Sequence, residues 1–457
     1  MTNPTAIAPV PSTATAAPIG TSDDADFWAE AGRHVLRYTS SFSPVIVERA
    51  AGSVLHLNDG REVLDFTSGQ MSAILGHSHP AITAIVRTAS ENLSHLFSGM
   101  LSRPVVELSR RLAESLPDPL ERVLLLSTGA ESNEAALRLA KLVTGKHEVV
   151  SFSRSWHGMT LGVANATYST PRRGYGPSVP GNFAIPTPYG YRPDFTDAHG
   201  QLDWQEQLEF SFAQIDQESC GSLAACIVEP ILSSGGVIVP PRGYLAALQR
   251  KCHERGMLLI LDEAQTALCR TGAMYAFEAE GFVPDVLTLS KTLGAGLPVA
   301  AVITSAEIEQ RGHELGYLFF TTHVSDPLAA AVGNTVLDVL EREEMAAQVR
   351  VKGAQLAGGL NELKMRHAVI GDVRGRGLML GLEFVLDPET KAAAPELGAA
   401  VTARCLDLGL HVNVVQLGGD LGGTLRLAPA LTTTPAQLAQ GLEILDQAIG
   451  EAARAFV

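Results

Sequence analysis

The feature that most restricts the fold is a series of short, almost wholly apolar runs at 122–126, 148–152, 224–228, 257–261, 286–289 and 299–304. A strand with one wet face alternates apolar and polar residues, because successive side chains point to opposite faces. These runs do not alternate, so both of their faces must be covered. Helical patterns at 133–143 and 242–255 separate several of them. Such crossovers let neighbouring strands run parallel. The expectation is an α/β fold with a mainly parallel sheet between layers of helices.

Beyond about residue 340 the texture changes. One long helix is expected over 338–367, leading through Gly371-Asp372-Val373-Arg374-Gly375-Arg376-Gly377 into a strand at 378–384. A helix over 393–408 stops at Gly409, and short strands with a final helix over 435–455 complete a smaller α+β unit. Near the start, Ser22-Asp23-Asp24-Ala25-Asp26-Phe27-Trp28 opens a helix, and Val45-Ile46-Val47 and 53–57 read as strands. Asn58-Asp59-Gly60 then turns the chain into Val63-Leu64-Asp65-Phe66. Residues 1–22, rich in Ala, Pro, Thr and Ser without a basic start, are expected to be a disordered leader.

Composition excludes several function classes. With 46% hydrophobic and 18% charged residues the chain is of globular type, and no run of about eighteen apolar residues suits a bilayer. A net charge of −15 disfavours nucleic-acid and anionic-membrane partners. The five cysteines (Cys220, Cys226, Cys252, Cys269 and Cys405) form no C-x-x-C pair and no cluster with histidines. A cytoplasmic protein without a disulfide framework or zinc site is expected.

The chemistry concentrates at the ends of the apolar runs. Met257-Leu258-Leu259-Ile260-Leu261 leads into Asp262-Glu263-Ala264-Gln265, and Leu287-Thr288-Leu289 leads into Ser290-Lys291. Ligands of open α/β sheets bind outside the carboxyl ends of the strands. A lysine there is open to desolvation, which lowers its pKa and suits it to Schiff-base chemistry. An ion pair with a strand-end carboxylate is the alternative. Ser127-Thr128-Gly129-Ala130-Glu131-Ser132-Asn133 follows another run and opens a helix, where backbone N–H groups can receive a phosphate. Trp156, in Ser155-Trp156-His157-Gly158, offers a ring to stack on a planar heterocycle or to pack in a core. Asp262 suits a protonated ring nitrogen, or a helix cap.

In this order the set resembles the class III aminotransferases of fold type I, and within them more closely the branch that decarboxylates 2,2-dialkylglycines. The likeness runs from about Phe27 to the C-terminus. It is most specific in Asp65-Phe66-Thr67-Ser68-Gly69-Gln70-Met71-Ser72, His95-Leu96-Phe97-Ser98-Gly99-Met100-Leu101-Ser102-Arg103 and Thr321-Thr322-His323-Val324-Ser325-Asp326-Pro327. The resemblance implies a seven-stranded sheet in a large domain at 66–340 that binds pyridoxal 5'-phosphate. It also implies a small C-terminal domain at 341–457 and a segment at 23–65 packed on that domain. The implied assembly is a homodimer, paired further into a dimer of dimers.

By the same resemblance Lys291 holds the cofactor as a Schiff base and shuttles a proton. Asp262 faces the pyridinium nitrogen, Gln265 the phenolic oxygen, and Trp156 and Ala264 the two ring faces. Gly129 and Ala130 hold the phosphate, with Thr322 supplied by the neighbouring subunit. Arg426 and Ser233 hold a substrate carboxylate that is retained, and Gln70 orients the carboxylate that leaves. The implied cycle converts a dialkylglycine such as 2-aminoisobutyrate to ketone and CO₂, then aminates pyruvate to L-alanine. Leu96, Ser98, Thr322, Val324 and Asp326 match a potassium or sodium site.

Three departures bear on these expectations. Ala267-Leu268-Cys269 lacks the usual glycines, which restricts positive φ and suggests another loop path. Phe320 removes a hydroxyl near the ion ligands, and Leu116 replaces a threonine of a second ion site. The rival readings are an aminotransferase without decarboxylation, a racemase or epimerase, and a cofactor-binding protein without turnover. No G-x-G-x-x-G suits a nicotinamide enzyme.

Overall fold

Six of the apolar runs form strands close to the expected bounds: Arg122–Leu126, Glu148–Phe152, Leu223–Val228, Leu258–Asp262, Val286–Leu289 and Ala300–Thr304. The computed structural model describes residues 22–170, 172, 174–415, 422–454 and 456, so the expected leader, Ser22 apart, lies outside the described residues. A seventh strand, Asn182–Ile185, joins the edge beside Glu148–Phe152. It was not anticipated, because only its last residue is buried and its pattern is weak.

The sheet order is Arg122–Leu126, Ala300–Thr304, Val286–Leu289, Leu258–Asp262, Leu223–Val228, Glu148–Phe152, Asn182–Ile185. Ala300–Thr304 is antiparallel to both neighbours, and every other pair is parallel. Arg122–Leu126 therefore runs in the same direction as the five parallel strands, and six carboxyl ends share one edge. The central strands are buried along their whole length, as their lack of alternation requires.

The long helix expected over 338–367 is two helices, Pro327–Arg342 and Met345–Arg366. Glu344 breaks them in the left-handed region, at φ 46°. No glycine or proline marks the break. The first helix packs on Arg103–Glu114 and the second on Pro435–Ala453, and Leu340 and Met345 on either side of the break are both buried in the core. The segment from Gly371 to Gly377 is itself mostly strand, Ile370–Arg376, within an antiparallel sheet with Met379–Asp387, Thr424–Leu427 and Asn413–Val415. The helix expected over 393–408 starts at Pro395, because Ala392–Ala393 pairs with Met379–Asp387.

A third sheet joins the two ends of the chain. Val47–Ala51, Val54–Leu57 and Glu62–Asp65 form a meander, its first strand beginning only where the run at 45–47 ends. Leu410–His411 pairs parallel with its last strand, Leu64 opposite Leu410 and Asp65 opposite His411. All five cysteines are free. Among the described residues no helix is long and apolar enough to cross a membrane.

Candidate active site

Asp262 ends its strand and is 4% exposed. Its Oδ2 accepts hydrogen bonds from Asn133 Nδ2 at 2.7 Å and His157 Nδ1 at 2.9 Å, and its Oδ1 from the Ala264 N–H at 3.0 Å. The Thr288 hydroxyl fixes Asn133 in turn, at 2.7 Å. Asn133, His157 and Thr288 carry no site role in the sequence reading, although all three lie inside motifs read there for other reasons. Lys291 follows the next strand at φ 34° and opens a short 3₁₀ turn. Burial lowers the pKa of its amine, Asp262 opposes that shift, and Arg426 adds to it.

The helix Gly129–Thr144 presents its N-terminus to the same edge. A capping box uses up its third N–H: Glu131 N–H donates to the Thr128 hydroxyl at 3.2 Å, and the Glu131 carboxylate accepts from Thr128 N–H at 3.0 Å. The N–H groups of Gly129 and Ala130 remain for an anion. Glycine at 129 leaves room for Ser290, since a Cβ there would lie 2.7 Å from Ser290 Oγ and push that side chain aside.

Two cavities meet at this edge. One, of about 470 Å³, is lined by Gly129, Ala130, Asp262, Ala264 and Ser290. The other, of about 970 Å³, is lined by Gln70, Ser169, Asn413 and Arg426. Trp156, Gln265 and Lys291 line both and stand at the junction. Glu229, missed from the sequence, fixes the backbone here. It accepts from Trp156 N–H at 2.9 Å and Ser233 N–H at 3.3 Å, and burial raises its carboxyl to about 7.

Arg426 closes the second cavity from the strand Thr424–Leu427. Its guanidinium donates to Ser233 Oγ at 3.2 Å, Gln70 Oε1 at 3.1 Å and Asn413 Oδ1 at 3.3 Å. Among the described residues no carboxylate hydrogen-bonds it, and burial lowers its pKa to about 10. A buried cation held only by neutral groups is costly until an anion arrives, so the site is suited to a carboxylate.

Gln70 lies in an unusual turn. Ser68, Gly69, Gln70 and Met71 are all left-handed, with φ between 41° and 66°. Asp65 organises the turn by accepting from Thr67 N–H at 2.8 Å, the Thr67 hydroxyl at 2.6 Å and Gly69 N–H at 3.0 Å. His77 and His411 approach the same carboxylate at 2.8 and 3.2 Å. Although burial opposes it, these bonds hold the Asp65 carboxyl far below the ordinary range. Separate subsites were expected for Gln70 and for Arg426 with Ser233. In the structure the two side chains touch, Arg426 donating to Gln70 Oε1.

The loop at Ala267-Leu268-Cys269 keeps the left-handed path despite lacking glycine, with φ 56° at Leu268 and 70° at Cys269. Both side chains are buried, and that packing offsets strain of about 1–3 kcal/mol per residue.

The expected ion ligands fall on two adjoining segments, with Ser98 Oγ donating to the Thr321 carbonyl at 3.0 Å. Asp326, however, spends both carboxylate oxygens on imidazoles, His95 and His323. Phe320 is exposed beside Phe97, and Leu116 packs against the core. Thr322 is exposed and lines neither cavity of its own chain.

The residues of the smaller cavity fit pyridoxal 5'-phosphate. An amine, a fixed carboxylate and two open helix N–H groups surround it. Among the described residues Gln265 Oε1 and Ser290 Oγ are buried without a partner, which suits polar groups of a ligand there.

Comparison with known proteins agrees with this site. The family model described as aminotransferase class-III matches residues 37–449. An uncharacterized aminotransferase of Schizosaccharomyces pombe is 50% identical, covering 95% of this chain and 97% of that protein. The 5-aminovalerate aminotransferase of Pseudomonas aeruginosa is 33% identical over 92% of this chain and 96% of its own. A leucine/methionine racemase of Thermococcus litoralis is 30% identical over 90% and 92%. Among solved structures, a Bacillus anthracis aminotransferase superposes with a TM-score of 0.88 at 25% identity, covering 95% of this chain and all of that one. The fold-type I architecture and the site together place the chain in a known group: it belongs to the pyridoxal-phosphate-dependent class III aminotransferase family.

Proposed function

We propose that the chain transfers an amino group from an amine or amino acid to a keto acid, with its cofactor held on Lys291. As a finer reading, we propose that its donor is a 2,2-dialkylglycine such as 2-aminoisobutyrate, which loses CO₂, and that pyruvate is the acceptor aminated to L-alanine. The observation that carries the transfer reading is the junction: Lys291, Trp156 and Gln265 border both the cavity that fits the cofactor and the one closed by Arg426.

When bound, the cofactor supplies an electron sink for the pair released at the substrate α-carbon. The chain's own residues do the rest. Asp262, fixed by Asn133 and His157, would set its carboxylate against the ring nitrogen. Gly129 and Ala130 would hold the phosphate through N–H groups, Trp156 and Ala264 would confine the ring, and Gln265 would face the phenolic oxygen. The Lys291 amine, its pKa lowered by burial, exchanges a proton at the α-carbon more readily than an exposed lysine would. Arg426 and Ser233 hold the retained carboxylate.

The relatives' names fit plain transfer better than decarboxylation. The finer reading rests on Gln70. Its neutral amide orients a carboxylate without stabilising the ground-state charge that must leave, which a second cation would do. A quaternary α-carbon carries no hydrogen, so a dialkylglycine can react there only by losing its carboxylate. The reading also includes a homodimer, paired further into a dimer of dimers, in which Thr322 completes a neighbour's phosphate site. It takes 66–340 as the cofactor-binding domain, 341–457 as the small domain, and the cytoplasm as the location.

The test is to measure CO₂, acetone and alanine released by the cofactor-loaded protein from 2-aminoisobutyrate and pyruvate, in potassium and in sodium buffer. Equal amounts of all three are expected. Alanine from simple amine donors, with no CO₂ from any dialkylglycine, would leave transfer standing and remove decarboxylation. No alanine from any donor would remove both.

A further inference from the structure

We propose that Arg374 is a positioning residue for the substrate carboxylate, acting through the turn at 233–237 that carries Ser233. The inference rests on the reading of Arg426 and Ser233 as the hold on the retained carboxylate, and adds how that hold is set.

The small sheet supplies the geometry. Arg374 pairs with Gly381 on Met379–Asp387, and Gly381 pairs in turn with Arg426 on Thr424–Leu427. Residues directly opposite on antiparallel strands put their side chains on the same face. The two arginines therefore rise from one face, two strands or about 10 Å apart, with a residue that lacks a side chain between them. The turn at 233–237 lies over that gap. A Cβ at position 381 would come 2.9 Å from Val237 Cβ and 3.4 Å from the Gly236 carbonyl oxygen. Arg426 donates to Ser233 Oγ at the start of the turn, at 3.2 Å. Arg374 holds the other end, donating to the Gly236 carbonyl from Nε at 2.9 Å and from Nη2 at 2.5 Å.

Two observations set Arg374 apart from an ordinary buried ion pair. The turn is strained, with φ 114° at Gly236 and 55° at Val237. A β-branched residue keeps a left-handed backbone only where its surroundings impose it. The Arg374 side chain, 11% exposed, imposes it from the small sheet. The two arginines also differ in how their charge is met. Arg374 Nη1 lies 2.7 Å from Glu383 and 3.0 Å from Asp372, so its charge is balanced already. Arg426 donates only to neutral groups among the described residues. One guanidinium is thus spent on the turn, and its neighbour on the same row is left for a ligand.

The test is the dissociation constant of pyruvate on the cofactor-loaded protein without an amino donor, by calorimetry, beside KM and kcat for pyruvate during turnover. Arg374→Gln should raise the dissociation constant and KM about tenfold, the size of one neutral hydrogen bond from Ser233, and change kcat less than about twofold. Gly381→Ala leaves every charge in place and presses on the turn instead. It should do the same, and it decides the matter if Arg374→Gln fails to fold. Arg192→Gln removes another cation from Glu383, at 2.7 Å, without touching the turn, and should bind pyruvate as the wild type does. Unchanged binding by Arg374→Gln and Gly381→Ala, with binding lost in Arg426→Gln, would overturn this inference and leave the carboxylate reading standing. Equal weakening by Arg192→Gln would overturn it too, because the effect would then belong to the buried charges in general. Unchanged binding by Arg426→Gln would remove the carboxylate reading itself, and this inference with it.

Discussion

Asp262 and Lys291 reach their cavity by a different route from Gln70 and Arg426. The first pair stands at the ends of neighbouring parallel strands, Leu258–Asp262 and Val286–Leu289, and needs little beyond regular sheet geometry to converge. The second pair comes from 356 positions apart in the chain. Gln70 sits in four consecutive left-handed residues, and three of them, Ser68, Gln70 and Met71, are not glycine. Each of those three costs about 1–3 kcal/mol of backbone strain. That cost is offset by the bonds of Asp65, by Ser68 Oγ on the Ala428 carbonyl at 2.7 Å, and by the buried Arg270 on Ser68 at 3.2 Å. The cofactor half is thus built mostly from repeating structure, and of its pair only Lys291 is left-handed, at φ 34°. The substrate half is built from strain held in place by specific bonds, which is where a family can vary its reaction without disturbing its cofactor.

The largest effect should come from the cofactor half. Lys291→Ala should lower turnover by at least about 10⁴-fold and abolish covalent attachment of the cofactor, read by mass spectrometry after reduction. Residual turnover near the wild-type rate would break the assignment of this half.

Arg426→Gln comes next. Losing a charge-assisted, two-pronged hold on a carboxylate should raise the KM for pyruvate about 100-fold, while the absorbance of bound cofactor stays unchanged. An equal loss of cofactor would mean that the two halves are not separable.

Glu229 lies where the halves meet, and its titration gives a stability test. Burial raises its carboxyl from 4.5 to about 7, so the fold favours the protonated form. That stability is fully present below about pH 4.5 and is lost as pH rises to about 7. Glu229→Gln should therefore reduce the fall in unfolding free energy between pH 5 and pH 8 by up to roughly 3 kcal/mol, measured with urea. Glu263, also raised to about 7 by burial, keeps its own share in both proteins. An unchanged fall would show that Glu229 is ionised throughout.

Gln70→Ala should cut CO₂ formation about tenfold, the worth of a neutral hydrogen bond. Alanine formed from donors that keep their carboxylate should change less than twofold. Equal loss with both donors would give Gln70 a merely structural part.

The smallest effect concerns strain alone. Cys269→Gly should destabilise the fold by about 1 kcal/mol less than Cys405→Gly, because only position 269 has a positive φ that glycine relaxes. Equal costs by chemical denaturation would argue against strain in that loop.

How much was legible follows the same division. The wholly apolar runs announced their strands because a strand buried on both faces leaves a local, continuous signature. Lys291 and Asp262 could be placed at strand ends for that reason. Asn133 and His157 were visible as residues but not as partners of Asp262, since a hydrogen bond between distant positions has no local pattern. The break at Glu344 carried no glycine or proline, and the left-handed path through Leu268 and Cys269 ran against their local preference. In both places packing overrides propensity.

By itself, then, the sequence determined the six wholly apolar strands and the residues that end them, since these depend on neighbours along the chain. Only the tertiary structure decided that Leu410–His411 pairs with Glu62–Asp65, that Gln70 meets Arg426, and that His95 meets Asp326. Those meetings are set by how sheets and helices pack across hundreds of residues, a balance that no single stretch of chain encodes.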